Sequence, residues 1–530
     1  MQDSIENVSI NERRGQTYLD HADCRNEGSN TNHIESTSKN TLRERGICVV
    51  IPTFNNAGTI VDVVTRTLQQ CDDVIVVCDG CTDGTAELVD TISGIEIVSY
   101  KENKGKGTAL KHGFMKALEL GFSYAITLDA DGQHFPEDIH LLLEANIQNP
   151  GALLIGQRTG LENADRSFGS KFANAFSNFW FCVQTGKLLK DTQTGYRLYP
   201  LKKLSGINFL TSRYEAELEL LVFSYWKGIP LVSVPVNVYY PSQEERVSHF
   251  RPGLDFARIS VLNTCLCVLA IIYGLPLKIW RSVACICRTL HALTVYLVAC
   301  FFILLPYTFI LQFLKTDREK KSQRLHNALY RVARFIMHTH GIPGVKYRVD
   351  NPKENFKSPA IVICNHQSHL DLMIMLSQTP KMVVLTNDWV WKSKFFGKVI
   401  RSAEFYPVSM GIECLLPKLQ DLVERGYCIA VYPEGTRSKD CKIARFHKGA
   451  FHIAEALKLD IVPVIEYGAG HVLPKYGKYL RRGHIAVQIN ERFPYSEYVN
   501  IGSTKEITSW FRKYYKTEYA RLCNKFDQDA

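Results

Sequence analysis

Short apolar runs recur along this chain in two series, separated by a much longer apolar region. From residue 46, runs at 47–51, 74–78, 95–98, 124–128 and 153–155 alternate with helix-length segments such as 106–120. Runs of this length, bounded by turn residues, read as strands buried on both faces. Their alternation with helices predicts an α/β domain with a largely parallel sheet. A helix-like segment at 213–226 and a strand-like one at 231–239 complete that region. A second series at 360–364, 382–385, 428–432, 461–465 and 485–489 predicts another α/β domain. Between the two, residues 261–277 and 292–314 carry no charge, and each is about long enough to cross a hydrocarbon layer as a helix. The pattern divides the chain into a flexible polar tail (1–44), an α/β domain (45–260) and a membrane-associated helical hairpin with a basic linker (261–324). A second α/β domain (325–510) and a basic helical tail (511–530) follow.

Composition narrows the partners. The 530 residues exceed one ordinary core, and 46% hydrophobic content excludes wholesale disorder. The net charge of +10 comes without a basic helix or an aromatic-basic reading motif, so it points to an anionic membrane surface and not to nucleic acid. Arg251 and Arg258 precede the first apolar stretch; Lys315, Arg318, Lys320, Lys321 and Arg324 follow the second. Those flanks put both ends of a hairpin on the cytoplasmic side. Lys278, Arg281 and Arg288, in the connection, oppose a spanning hairpin, whereas helices lying in the interface accommodate them. Both arrangements stay open. The sixteen cysteines are scattered through apparent strands and apolar helices, and no charged-then-apolar leader is seen, which predicts reduced thiols in a cytoplasm-facing protein. Cys78 and Cys81 have C-x-x-C spacing but lack the second pair a zinc site needs.

The first candidate chemistry is DADGQH at residues 129–134. Asp129 and Asp131, two apart at a strand end, can share one hard cation, with Gln133 continuing the alternation. A solvated Asp-Gly turn is the alternative. IPTFNN (51–56), VVCDGCTDGT (76–85) and NKGKG (103–107) precede it in order. Glycines at 84, 105 and 107 let a ligand approach the backbone, and Asp79, just past an apolar strand, can accept hydrogen bonds from a base or ribose. With these motifs, residues 46 to about 260 resemble the family 2 glycosyltransferases, nearest to polyprenol-phosphate mannosyl- and glucosyltransferases. The resemblance implies a Rossmann-like GT-A fold and inverting transfer from a nucleotide sugar. It implies nucleotide-sugar contacts from Pro52, Thr53, Asn55, Asp79, Lys106, Asp129, Asp131, Arg158 and Arg197, and Mg²⁺ or Mn²⁺ on Asp129, Asp131 and Gln133. DTQTGYR (191–197) resembles the acceptor-side segment, making Asp191 a candidate base or positioning carboxylate. Arg158 and Arg197 either grip phosphate or form ion pairs. RVSHFRP (246–252) is placed to meet a lipid headgroup or simply to flank the membrane. The sequence departs from the subfamily at Asn56, where an acid is usual.

The second candidate is NHQSHLD at residues 365–371. Positions five apart lie about 140° around a helix, so His366 and Asp371 cannot share a helical face. Ser368, three before Asp371 and followed by LMIML, resembles a capping box. His366 then belongs to the preceding loop, able to fold back onto Asp371 as a general base oriented by a carboxylate. YPEGTRS (432–438), FHKGAF (446–451) and IVPVIEYG (461–468) follow. Together they resemble the lysophosphatidate acyltransferase-like family. That implies catalysis by His366 and Asp371, acceptor binding by Glu434, Gly435, Thr436 and Arg437, and acyl-CoA or acyl carrier protein as donor. The intervening block departs from the family: it reads EFYPVS (404–409), where an arginine often follows an apolar run, and Arg401 lies earlier.

Both halves joined predict a bifunctional enzyme of glycolipid or lipid biosynthesis on the inner membrane, with a nucleotide sugar, a lipid acceptor and an acyl donor as partners. Because both donors are cytoplasmic, both domains are expected to face the cytoplasm. The alternative is an acyltransferase whose sugar-transferase-like domain only binds.

Overall fold

The apolar runs pair much as their spacing suggests. In the computed structural model, the residues described are 39–159, 168–206, 211–239, 252–339, 341–351, 354–394 and 396–529. They divide into two compact units, the second beginning, apart from a short segment at 146–151, at residue 263.

The first unit is built on a seven-stranded sheet of β1 (Ile47–Thr53), β2 (Val74–Asp79), β3 (Ile95–Tyr100), β4 (Tyr124–Thr127), β5 (Leu153–Arg158), β6 (Arg197–Pro200) and β7 (Leu231–Val236), in the order β3-β2-β1-β4-β6-β5-β7. Pairing is parallel from β3 to β4, and β6 runs antiparallel to both its neighbours. β1, β2 and β4 are buried along their whole length, as expected for strands covered on both faces. Because they run parallel, their carboxyl ends lie along one edge of the sheet, which is where a parallel sheet presents ligand-binding loops. The expected N-terminal tail ends sooner than its polarity suggested. Residues 39–44 are helical, Leu42 is 1% exposed within the core, and Lys39 Nζ lies 2.8 Å from Asp72.

The second unit carries a six-stranded sheet in the order β10-β11-β9-β12-β13-β8. Its strands are β8 (Val345–Asp350), β9 (Ile361–Cys364), β10 (Met382–Val384), β11 (Cys428–Val431), β12 (Ile461–Tyr467) and β13 (Gly483–Ile489). Only the β12–β13 pairing is antiparallel. The C-terminal residues are no tail. Helix Thr504–Asp529 buries Ile507, Phe511 and Tyr515, and the Tyr515 hydroxyl donates to the Ile363 carbonyl at 2.6 Å. Likewise helix Arg318–His338 runs through the expected boundary at 324 and buries Leu325, Leu329 and Ala333.

The apolar region differs most from expectation. The hairpin is absent: helical structure runs unbroken from Pro252 to Phe313, and 58 residues of it, Phe256–Phe313, form one helix long and apolar enough to cross a membrane. At 1.5 Å per residue it extends about 87 Å, far beyond a ~30 Å hydrocarbon layer. No turn signal interrupts the basic connection, and the two prolines are absorbed rather than helix-ending. Pro276 and Pro306 each follow a π segment, Ala270–Gly274 and Ala299–Leu304. A wider turn just before a proline accommodates the missing N–H and the ring without breaking the helix.

Candidate active sites

In the first unit the nucleotide-loop motifs mostly hold one another. Pro52 and Thr53 are the last two residues of β1 and are buried, so the loop proper begins at Phe54. Asn55 adopts φ 52°, its side-chain oxygen accepts the Thr82 N–H at 2.8 Å, and the Asn56 N–H reaches Thr85 Oγ1 at 2.9 Å. Asp79 is 3% exposed and its two oxygens accept the N–H groups of Lys104 and Gly105, both at 2.8 Å. Its carboxylate therefore braces the glycine-rich loop.

Asp129 lies at the centre of a charged cluster. Its Oδ1 is 2.7 Å from Lys106 Nζ, which also lies 3.1 Å from Glu217 Oε2. The two carboxylates hold the buried Lys106 ammonium well above the ordinary lysine range despite its desolvation. Gly195 makes room for this carboxylate: a Cβ there would sit 2.4 Å from Asp129 Oδ2. Asp131 Oδ1 accepts the Gln133 N–H at 3.0 Å, curling the acidic loop. His134 is buried against Tyr196, its Nδ1 has no partner among the described residues, and desolvation lowers its pKa to about 4. It is a neutral imidazole beside Asp129.

No group of three His, Cys, Asp or Glu side chains among the described residues can hold a metal by itself. A divalent cation there would need the Gln133 amide and ligand phosphates beside the carboxylates. That hard-oxygen donor set suits Mg²⁺ or Mn²⁺, which keep few protein ligands.

The expected acceptor-side residues are sequestered. Asp191 is 2% exposed and is gripped bidentately by Arg158, Nε to Oδ2 at 2.6 Å and Nη2 to Oδ1 at 2.8 Å. Of the alternatives open for Arg158, the ion pair is the one formed, and Asp191 is its partner. Arg197 is wholly buried and donates to the Tyr199 hydroxyl and to the carbonyls of Glu217 and Thr192. Residues 246–251 of RVSHFRP lie outside the described residues.

In the second unit, His366 lies in the loop after β9 and folds back so that its Nδ1 is 2.7 Å from Asp371 Oδ2. Asp371, fully buried, opens helix Asp371–Leu376 and also accepts the N–H groups of Gln367 (2.7 Å) and Ser368 (2.9 Å). Only half of the expected capping box forms. The Ser368 hydroxyl donates instead to the Leu473 carbonyl at 3.0 Å. The His366 ring stacks on Tyr432 at 4.4 Å and 24°. This contact turns Nδ1 to Asp371 and the opposite ring nitrogen away from it, the orientation a general base requires.

Two further carboxyls surround this pair. Glu434 was expected at the acceptor; it is 3% exposed and accepts the N–H groups of His366 (3.0 Å) and Ala444 (3.2 Å), so it braces the histidine loop. Burial pushes its pKa up to about 7. Glu466 on β12 is fully buried, and burial plus the neighbouring Asp371 hold its carboxyl well above the usual range. Its backbone clamps the Asn365 side chain from both sides, at 2.8 and 2.7 Å. Gly435 has φ 64° with His447 packed against it, and Thr436 is exposed. Lys475 Nζ donates to Thr436 Oγ1 (2.9 Å) and to the Arg437 carbonyl (2.7 Å), adding a cation to that turn. Arg401 is occupied by the Trp391 carbonyl, and Glu404 is buried between Arg318 and Arg425.

The family model for glycosyl transferase family 2 matches residues 48–196. A polyprenol monophosphomannose synthase of Mycolicibacterium smegmatis is 30% identical over 36% of this chain and 76% of its own length. The chain belongs to glycosyl transferase family 2. Similar over 38% of this chain and 88% of its own length, at 26% identity, is a UDP-N-acetylglucosamine–dolichyl-phosphate N-acetylglucosaminyltransferase of Methanococcus voltae. In this family 2 member the Acyltransferase family model also matches residues 346–466. Its relative here is a 1-acyl-sn-glycerol-3-phosphate acyltransferase of Chlamydomonas reinhardtii, 31% identical over 26% of this chain; the match spans less than half, 42%, of that protein's length.

Reasoning from sequence missed Lys475, His134, Glu217 and Glu466. The pattern EAELEL at Glu215–Leu220, three acids inside an otherwise apolar helix, was the available signal for Glu217. Glu466 had a comparable one, a single acid in the buried strand IVPVIEY.

Proposed function

We propose that the chain is a bifunctional membrane enzyme of glycolipid or lipid biosynthesis. One unit transfers a sugar from a nucleotide sugar to a lipid or polyprenyl-phosphate-like acceptor. The other transfers an acyl group from acyl-CoA or acyl carrier protein to a lipid hydroxyl. The observation that carries the reading is the presence on one chain of the Asp129–Lys106–Glu217 cluster and the 2.7 Å His366–Asp371 pair. The apolar helix and the lipid-linked relatives support membrane association.

In acyl transfer, His366 takes the proton of the acceptor hydroxyl, whose oxygen attacks the thioester carbonyl. Asp371 stabilises the imidazolium; the C–S bond then breaks and the proton passes to the departing thiolate. Gly435, Thr436, Arg437 and Lys475 offer an anionic headgroup amide, hydroxyl and cationic partners. In sugar transfer, an acceptor phosphate oxygen, already ionised, attacks the anomeric carbon with inversion as the bond to diphosphate breaks. No protein base is needed, in keeping with the locked Asp191. A divalent cation, when bound by Asp129, Asp131 and Gln133, would supply charge neutralisation for the departing diphosphate. Lys106 keeps Asp129 ionised and oriented, and His134 stays neutral beside it.

The test is metal removal on the full chain in membranes. Chelation is expected to abolish sugar incorporation into extractable lipid and to leave acyl incorporation unchanged. Equal loss of both, or chelator-resistant sugar transfer, contradicts the assignment.

A further inference from the structure

The three cations midway along the apolar helix, Lys278, Arg281 and Arg288, are out of place for a simple membrane span. Arg288 is not a stray charge. Its Nη1 donates to the Leu480 carbonyl at 3.0 Å, and the next residue, Thr289, accepts the Leu480 N–H on Oγ1 at 2.8 Å. The helix midpoint is thereby pinned to the loop at residues 473–482, LPKYGKYLRR. The start of the same loop is pinned to the acyl-transfer motifs, through Leu473 to the Ser368 hydroxyl and through Lys475 to Thr436 and Arg437. Between its anchors the loop turns outward: Tyr476 is 73% exposed, Tyr479 is 49% exposed, and Lys478 and Arg481 are exposed as well. On the helix, Trp280 is 69% exposed. Neither the loop nor Phe256–Phe313 contains a carboxylate.

Tyrosines and tryptophan, apolar in body and polar at the tip, settle at headgroup depth, and clustered cations without acids select negatively charged lipid. We propose that residues 473–482 form a headgroup-docking loop that binds the surface of a bilayer bearing anionic phospholipids, holding the acyl-transfer turn at the lipid interface. The charge complementarity and the continuity with the exposed apolar helix select this occupant over a protein partner. The link to acyl transfer rests on the reading above; the lipid contact does not.

The test uses the full chain in nanodiscs of purely zwitterionic phospholipid or of the same lipid with a third anionic phospholipid. Amide exchange in residues 473–482 is expected to slow about fivefold in the anionic discs. K478Q/R481Q should abolish that protection, and Y476S/Y479S should weaken it. The K478Q/R481Q variant should also raise KM for a bilayer-presented acceptor roughly tenfold, with kcat and KM for a short-chain water-soluble acceptor unchanged. Equal exchange in both lipids overturns the proposal, as does protection that survives K478Q/R481Q. Lipid-dependent protection in a protein that transfers no acyl group would sustain the docking loop and overturn the acyltransferase reading instead.

Discussion

Burial holds the Glu434 carboxyl up to about 7 even though the His366 and Ala444 N–H groups point at it. Desolvation outweighs the two hydrogen bonds. The group binds its proton more tightly folded than unfolded, so its stabilising contribution is complete below the ordinary value of 4.5 and is lost as pH rises through about 7. Thermal unfolding of the second unit should show a loss of stability across that window which Glu434→Gln removes; an unchanged slope in the variant contradicts the argument. The Arg158–Asp191 pair makes the opposite case, a buried charge whose partner is indispensable. Asp191→Ala should destabilise the first unit by about 3–5 kcal/mol, because it removes the bidentate carboxylate from a mostly buried guanidinium, while Arg158→Met/Asp191→Leu should recover most of the loss. Calorimetry on the single and double variants checks this. A single variant that unfolds like wild type but loses sugar transfer would restore Asp191 to the reaction.

At the scale of elements, the apolar runs of both sheets were legible because strands covered on two faces must be continuously hydrophobic. β6 and β8 were not. β6 hides in a polar motif whose residues are buried by pairing between β4 and β5, and β8, VKYRVD, alternates in polarity as an edge strand. The hairpin differs for a related reason: charge at Lys278, Arg281 and Arg288 reads as a connection, but composition does not show that Arg288 is satisfied by the Leu480 carbonyl. At the sites, sequence supplied the motif residues but not their partners. The contacts that Asp79, Glu434, Arg197 and Asp191 make with other parts of the chain are tertiary, and no motif spells them out. Helix Lys106–Glu119 shows how tightly that bracing is set. A Cβ on Gly107 would meet the Ala216 side chain at 2.4 Å. Gly107→Ala should therefore cost about 1–3 kcal/mol and, by shifting Lys106 away from Glu217, lower sugar transfer. Unfolding and transfer assays showing neither effect would contradict the role assigned to that contact.

In the whole molecule, the Asp129–Lys106–Glu217 cluster lies in the first unit and the His366–Asp371 pair in the second, so under the proposed function each group transfer should fail alone. The direct measurement compares membranes containing the full chain, Asp131→Ala or His366→Ala, supplied with a divalent cation, native lipid, labelled acyl donor and a panel of labelled nucleotide sugars. Sugar label in extractable lipid should fall by about a hundredfold or more only in Asp131→Ala, and acyl label by a similar factor only in His366→Ala. Sugar transfer absent across the panel from the unmodified chain, with His366-dependent acylation intact, would reduce the first unit to a binding module and contradict the account.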